Sequence, residues 1–203
     1  VVSIAQTRKK YHGRKAETYE EVRTKQQRWD EENVAVEKLL RDVASTRSVV
    51  LDCPMGTGRF ITTYRKLGVK SVIGIDVSES MLKFARFNLK KRWPKGPVKL
   101  VVGDAEFTDL DDKSVDATVC VRFLDLIDDI AMRSVLEEMC RVTRHSVILT
   151  IRLGEKYVAK SNTATHDAKK FWALVNRLGF SVIDTVGIFN EGWIVARIER
   201  DKK

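Results

Sequence analysis

No apolar stretch in this 203-residue sequence approaches the roughly 20 residues that a membrane-spanning helix requires. The opening, Val1-Val2-Ser3 followed by a basic polar run, lacks the apolar centre of a signal peptide. A cytoplasmic protein with no membrane partner is therefore expected. The chain starts on Val1 rather than methionine, which leaves room for an upstream segment. Only three cysteines occur, Cys53, Cys120 and Cys140, and they fall within predicted elements without metal-type spacing, so reduced, buried thiols are expected. His12, His145 and His166 have no partners at metal-ligand spacing, and no metal is expected.

One strongly basic segment lacks acids altogether. Residues 83–99 carry Lys83, Arg86, Lys90, Lys91, Arg92, Lys95 and Lys99 around Trp93, with no Asp or Glu. Residues 8–28 are similarly basic, and the net charge is +9. Such patches are a possible electrostatic footprint for nucleic acid, and equally a solvated face.

Hydrophobic content of 43% and charged content of 32% are those of a globular protein, and the length fits one domain. Residues 1–45 read as a basic arm and one or two helices between Ala16 and Ala44, with 46–203 as the core. Apolar runs at Val49–Cys53, Ser71–Ile75, Val98–Val102, Ala117–Val121 and Val147–Ile151 predict five strands alternating with helices. That order implies right-handed βαβ units in a parallel sheet with helices on both faces. A last helix is predicted over His166–Leu178, with His166 a surface or capping residue. Phe180–Ile188 and Trp193–Ile198 follow, joined by four residues, which demands an antiparallel hairpin. The fold class is α/β: a Rossmann-like, mostly parallel seven-stranded sheet.

The stretch VVLDCPMGTGRF, residues 49–60, organises the rest. It reads as a buried strand, a glycine turn and a helix start. Gly56 and Gly58 permit positive φ and close approach of a ligand, and the helix start is expected to offer unpaired N–H groups. Asp52, Asp76 and Asp104 end three successive strands, where ligands of open α/β sheets bind. Their spacing suits the tail, ribose and adenine of an adenosine-containing ligand. A dinucleotide fits poorly: Ile61 stands where the third glycine of that fingerprint is needed, and Asp52 would repel a pyrophosphate. A cationic ligand with an amino-acid tail, S-adenosylmethionine, fits better.

With these motifs the sequence resembles the class I S-adenosylmethionine-dependent methyltransferases from about Val49 to Ile198. LDCPMGTGRF resembles the first family motif, with Pro54 in place of its usual first glycine and Thr57 within the turn. IGIDVSESML resembles the second, which implies that Asp76 holds the ribose and that Val77 and Met81 flank the adenine. GDAEFTDL resembles the third, which implies that Asp104 and Ala105 face the adenine amino group. Tyr11, Ala16, Tyr19 and Glu20 are similar to a lid segment found in small-molecule methyltransferases. S-adenosylhomocysteine would be the product.

The acceptor is less legible. The segment after strand four, Val121 to Asp128, lacks the Asn/Asp-Pro-Pro-aromatic motif of amino-methylating nucleic-acid enzymes and the Pro-Cys pair of cytosine C5 enzymes. Asp125 is the candidate base there, with a solvated loop acid as the alternative, and Arg122 a candidate contact for an acidic substrate group. A small-molecule or RNA acceptor is expected. The alternative is a non-catalytic cofactor-binding protein with a regulatory role.

Overall fold

The computed structural model of the chain describes residues 18, 27–159, 163–189 and 192–202. Tyr11, Tyr19 and the basic residues 8–25 lie outside them. Helix α1 (Gln27–Arg41) precedes β1 (Val49–Asp52), α2 (Ile61–Leu67), β2 (Ser71–Asp76), α3 (Glu79–Arg92), β3 (Val98–Val102) and β4 (Val115–Cys120). A 3-10 turn (Leu124–Leu126), α4 (Asp129–Val142) and β5 (Thr143–Gly154) follow, then two short strands, β6 (Val158–Ala159) and β7 (Ala164–Asp167). Helix α5 (Ala168–Arg177), β8 (Phe180–Gly187) and β9 (Trp193–Arg200) complete the described chain.

Strands β3-β2-β1-β4-β5 run parallel in that spatial order, β9 pairs antiparallel with β5, and β8 pairs antiparallel with β9. This is the expected mostly parallel seven-stranded sheet with its closing hairpin. Alternate residues of the central strands enter opposite faces. Leu51, Leu149 and Ile151 pack with Leu136 and Met139 of α4 and Phe171 and Val175 of α5. Val50, Val119 and Ile148 pack with Val36, Leu39 and Leu40 of α1 and Tyr64 of α2.

Local signals set the ends of several elements. Ser78 caps α3, its Oγ accepting from the Met81 N–H at 3.2 Å. Gly68 terminates α2 at φ 65°. All three cysteines are buried free thiols, and burial pushes each thiol up, Cys140 to about 12.

The region after β5 and the aromatic of the basic run differ from expectation. The stretch after β5, predicted as a polar loop, contains β6 and β7, and β7 extends the parallel sheet through Leu153↔His166 and Gly154↔Asp167. Consequently His166 is neither exposed nor a cap: it is fully buried, and Asp167 caps α5 by accepting from the Lys170 N–H at 3.0 Å. Trp93, expected as an aromatic within the basic run, is half-buried against the core beneath Gly96.

The loop after β3 is held down by Glu138 of α4. Its Oε1 accepts from the Thr108 N–H and hydroxyl, both at 2.7 Å, and Arg141 donates to the same carboxylate. Burial pushes the Glu138 carboxyl up, but these hydrogen bonds outweigh it and hold it below its ordinary value.

Candidate functional site

The glycine turn is stitched to both neighbouring strands. The Cys53 N–H donates to the Val119 carbonyl of β4 at 2.9 Å, and the Met55 N–H donates to the Ile75 carbonyl of β2 at 2.8 Å. Gly56 and Gly58 both have positive φ, 58° and 79°. A Cβ at Gly56 would reach only Met81 Cε at 4.0 Å, so this backbone faces open space. One at Gly58 would crowd Ile61 and lie 3.5 Å from Ala85 Cα, so that glycine serves the packing of α2 on α3.

The turn is not the row of open N–H groups expected from the sequence. Helix α2 starts only at Ile61, whose N–H donates to the Gly58 carbonyl, and the Gly58 N–H donates to Met55. The Gly56 N–H donates to Asp76 Oδ2 at 2.8 Å, and the Ser78 N–H donates to Asp76 Oδ1 at 2.8 Å. Asp76 therefore braces the turn against the start of α3. Asn88 adds a further tie, its Nδ2 donating to the Thr57 carbonyl at 3.0 Å.

A cleft of about 370 Å³, counted with the solvent-open space inside it, lies over this turn. Asp52, Pro54, Gly56 and Thr57 form its floor, Trp29 and Arg59 one wall, and Val121 and Arg122 another. Asp52 is only 3% exposed, and its Oδ2 has no hydrogen-bond partner. Burial, reinforced by Asp76, pushes its carboxyl up to about 8; the nearby Tyr64 hydroxyl and Arg59 oppose this too weakly. An acceptor atom buried without a donor is costly. A cationic group entering the cleft would relieve that cost.

Arg59 is committed to α1. Its Nη1 donates to Glu32 Oε2 at 2.5 Å, its Nε to Asn33 Oδ1 at 2.7 Å and its Nη2 to the Trp29 carbonyl at 2.8 Å. The guanidinium also lies 3.7 Å from the Trp29 ring centroid. This fastens α1 as a wall beside the turn.

Arg122, at the carboxyl end of β4, has an unusual backbone φ of 58°, and its N–H donates to Thr150 Oγ1 at 2.6 Å. Its guanidinium stacks 4.7 Å from the Trp193 ring centroid, with Phe189 at 5.9 Å. It makes no ion pair within the described residues.

The remaining sequence-derived residues are placed as follows. Asp76 and Met81 adjoin the cleft through Gly56. Val77 is 37% exposed immediately after β2, and Asp104 and the buried Ala105 follow β3 beside it. The Gly103 N–H links the two strand ends by donating to the Asp76 carbonyl at 3.1 Å. Asp125, in the 3-10 turn, is fully buried rather than a solvated loop acid, and it does not line the cleft. Trp29, Met55, Arg59, Phe60 and Val121 line the cleft but were not singled out as site residues from the sequence. Arg59 and Phe60 complete the motif itself and were findable there; Trp29, distant in sequence, carried no such signal.

Residues 50–146 match a family model described as a methyltransferase domain. No curated protein matches the sequence. Among solved structures the chain is similar to the PH0226 protein of Pyrococcus horikoshii, at 20% identity over 87% of this chain and 92% of that one, with a TM-score of 0.71. It is similar to the magnesium protoporphyrin IX methyltransferase of Synechocystis with bound S-adenosylmethionine, at 17% identity over 86% and 79% of the two chains, TM-score 0.69. A third likeness is to the Burkholderia thailandensis 1,6-didemethyltoxoflavin-N1-methyltransferase bound to 1,6-didemethyltoxoflavin and S-adenosylhomocysteine, at 17% identity over 82% and 77%, TM-score 0.66.

Proposed function

We propose that this chain, a methyltransferase of the class I fold, binds S-adenosylmethionine over the β1 turn and transfers its methyl group to a small-molecule acceptor. The observation that carries the cofactor assignment is the unpartnered, buried Asp52 Oδ2 on the cleft floor. It suits a ligand ammonium. Gly56 leaves room for the ligand backbone, and Asp76, at the end of β2, is suited to accept from ribose hydroxyls. Val77, Met81 and Ala105 supply apolar surface for the adenine, with Asp104 at its polar edge. Pro54, Thr57 and Gly58 shape the turn.

Bound there, the cofactor supplies an activated methyl group on a sulfonium. The task left to the protein is to hold the acceptor in line, and proximity and orientation contribute on the order of 7–11 kcal/mol to such reactions.

A small acceptor is favoured over RNA by the position of the basic run. The first turn of helix α3 carries Met81 beside the cleft, and the helix spans roughly 20 Å at 1.5 Å per residue. Lys90, Lys91, Lys95 and Lys99 therefore lie toward the amino ends of the parallel strands, where β3 begins, and the cleft lies at the carboxyl ends.

The test uses methyl-labelled S-adenosylmethionine, the purified protein and cell extract, with the products split by nuclease, protease and size. Label in a low-molecular-weight product supports the reading. Label in nuclease-sensitive polymer would replace it with an RNA acceptor. Cofactor binding without any transferred label would favour the non-catalytic alternative.

A further inference from the structure

A buried acid and a guanidinium, Asp52 and Arg122, line the same cleft without forming an ion pair. Asp52 presents a buried carboxylate oxygen without a donor. Arg122 presents a half-buried guanidinium that stacks on Trp193 and Phe189 and has no carboxylate partner within the described residues. The other arginine of the cleft, Arg59, is already held by Glu32, Asn33 and the Trp29 carbonyl. A buried acid whose outer oxygen has no donor, and a guanidinium with no ion-pair partner among the described residues, are together complementary to a zwitterion, whose ammonium would ionise the acid. A ligand carrying an ammonium and a carboxylate satisfies both groups at once; a ligand carrying only one leaves the other group without a partner.

We infer that Arg122 is the carboxylate clamp for the amino-acid end of the cofactor, acting with Asp52 as its ammonium partner, and so rejects cofactor forms that lack the carboxylate. This rests on the S-adenosylmethionine reading above and assigns Arg122 to the cofactor rather than to the acceptor. The local structure suits the role. The Thr150 hydroxyl holds the Arg122 N–H, and the faces of Trp193 and Phe189 restrict the guanidinium, so little side-chain freedom is lost when it grips a planar carboxylate in bidentate fashion.

The test needs no acceptor. Dissociation constants are measured by titration calorimetry for S-adenosylhomocysteine, for its decarboxylated analogue S-adenosyl-3-thiopropylamine, and for 5′-methylthioadenosine, which lacks both charged groups. Wild-type protein is expected to prefer S-adenosylhomocysteine to the decarboxylated analogue by about tenfold to hundredfold, the range of a charge-assisted hydrogen bond. Arg122→Met is expected to lose that preference while binding the decarboxylated analogue and 5′-methylthioadenosine as wild type does. Arg122→Lys, which keeps the charge but not the fork, is expected to fall between them. Asp52→Asn is expected to weaken both amine-bearing ligands and spare 5′-methylthioadenosine. Unchanged S-adenosylhomocysteine affinity in Arg122→Met would overturn the clamp alone. Failure of wild-type protein to bind any of the three would overturn the cofactor reading beneath it.

Discussion

His166 Nδ1 lies 2.5 Å from Asp129 Oδ1, and its Nε2 lies 2.8 Å from the Leu124 carbonyl. Each ring nitrogen thus lies within hydrogen-bond distance of an oxygen on a different element. The imidazole, fully buried on β7, thereby ties the 3-10 turn carrying Asp125 to the start of α4.

Replacing His166 with Gln can keep at most part of this bridge. Urea unfolding should show a loss of about 1–3 kcal/mol, the cost of leaving a buried polar group without its partner. A variant as stable as wild type would mean that the bridge contributes nothing to holding the turn.

The raised pKa of Asp52 predicts a pH slope. The folded-state value is about 8, whereas an unfolded aspartate titrates near 3.9. Between about pH 4 and pH 8 the folded state therefore retains a proton that the unfolded state has released. Stability from this group is highest at the acid end and falls as pH rises across the window, by up to roughly 1.4 kcal/mol per pH unit. Asp52→Asn should remove that component, so the variant gains on wild type between pH 5 and pH 8 in urea titrations. Binding of an ammonium-bearing ligand favours ionised Asp52, so S-adenosylhomocysteine affinity should rise toward pH 8 in wild type and stay flatter in the variant.

The Arg59–Glu32 pair is nearly dry, with side-chain exposures of 10% and 2%. Arg59→Met should destabilise the protein by about 3–5 kcal/mol, because it leaves a buried carboxylate without its cation. The double variant Arg59→Met with Glu32→Met should recover much of that loss. A fluorescence change from Trp29 in the single variant would report release of α1 from the turn.

Asp76 braces the turn as well as standing where a ribose is expected, so its two roles must be separated. Asp76→Ala should lower both thermal stability and S-adenosylhomocysteine affinity, since the Gly56 and Ser78 N–H groups lose their acceptor. Asp76→Asn retains an acceptor oxygen and should restore part of the stability. Adenine, which lacks the ribose, should then bind both variants alike; unchanged S-adenosylhomocysteine affinity in Asp76→Ala would refute the ribose placement.

Much of the fold was written locally. The alternation of apolar runs and helical patterns, the Ser78 cap, the Gly68 stop and the short link before β9 all act over a few residues, so their outcome was readable in order along the chain. The glycine turn belongs to this group, because positive φ at Gly56 and Gly58 is a property of those residues themselves.

Contacts between distant segments were decided elsewhere. β6 and β7 are two and four residues long, too short to show a period, and β7 exists because β5 offers it an open edge. That pairing buried His166, which its sequence neighbours alone suggested would be exposed. Arg122 meets Trp193 only because β9 folds back onto β5, pairing Trp193 with Arg152. Arg59 reaches Trp29 only because α1 packs on the same face as α2. By itself the sequence determined the sheet, its turn and the three acids at successive strand ends. The tertiary structure decided which groups in the cleft lack a partner among the described residues, because that depends on what packing brings within reach.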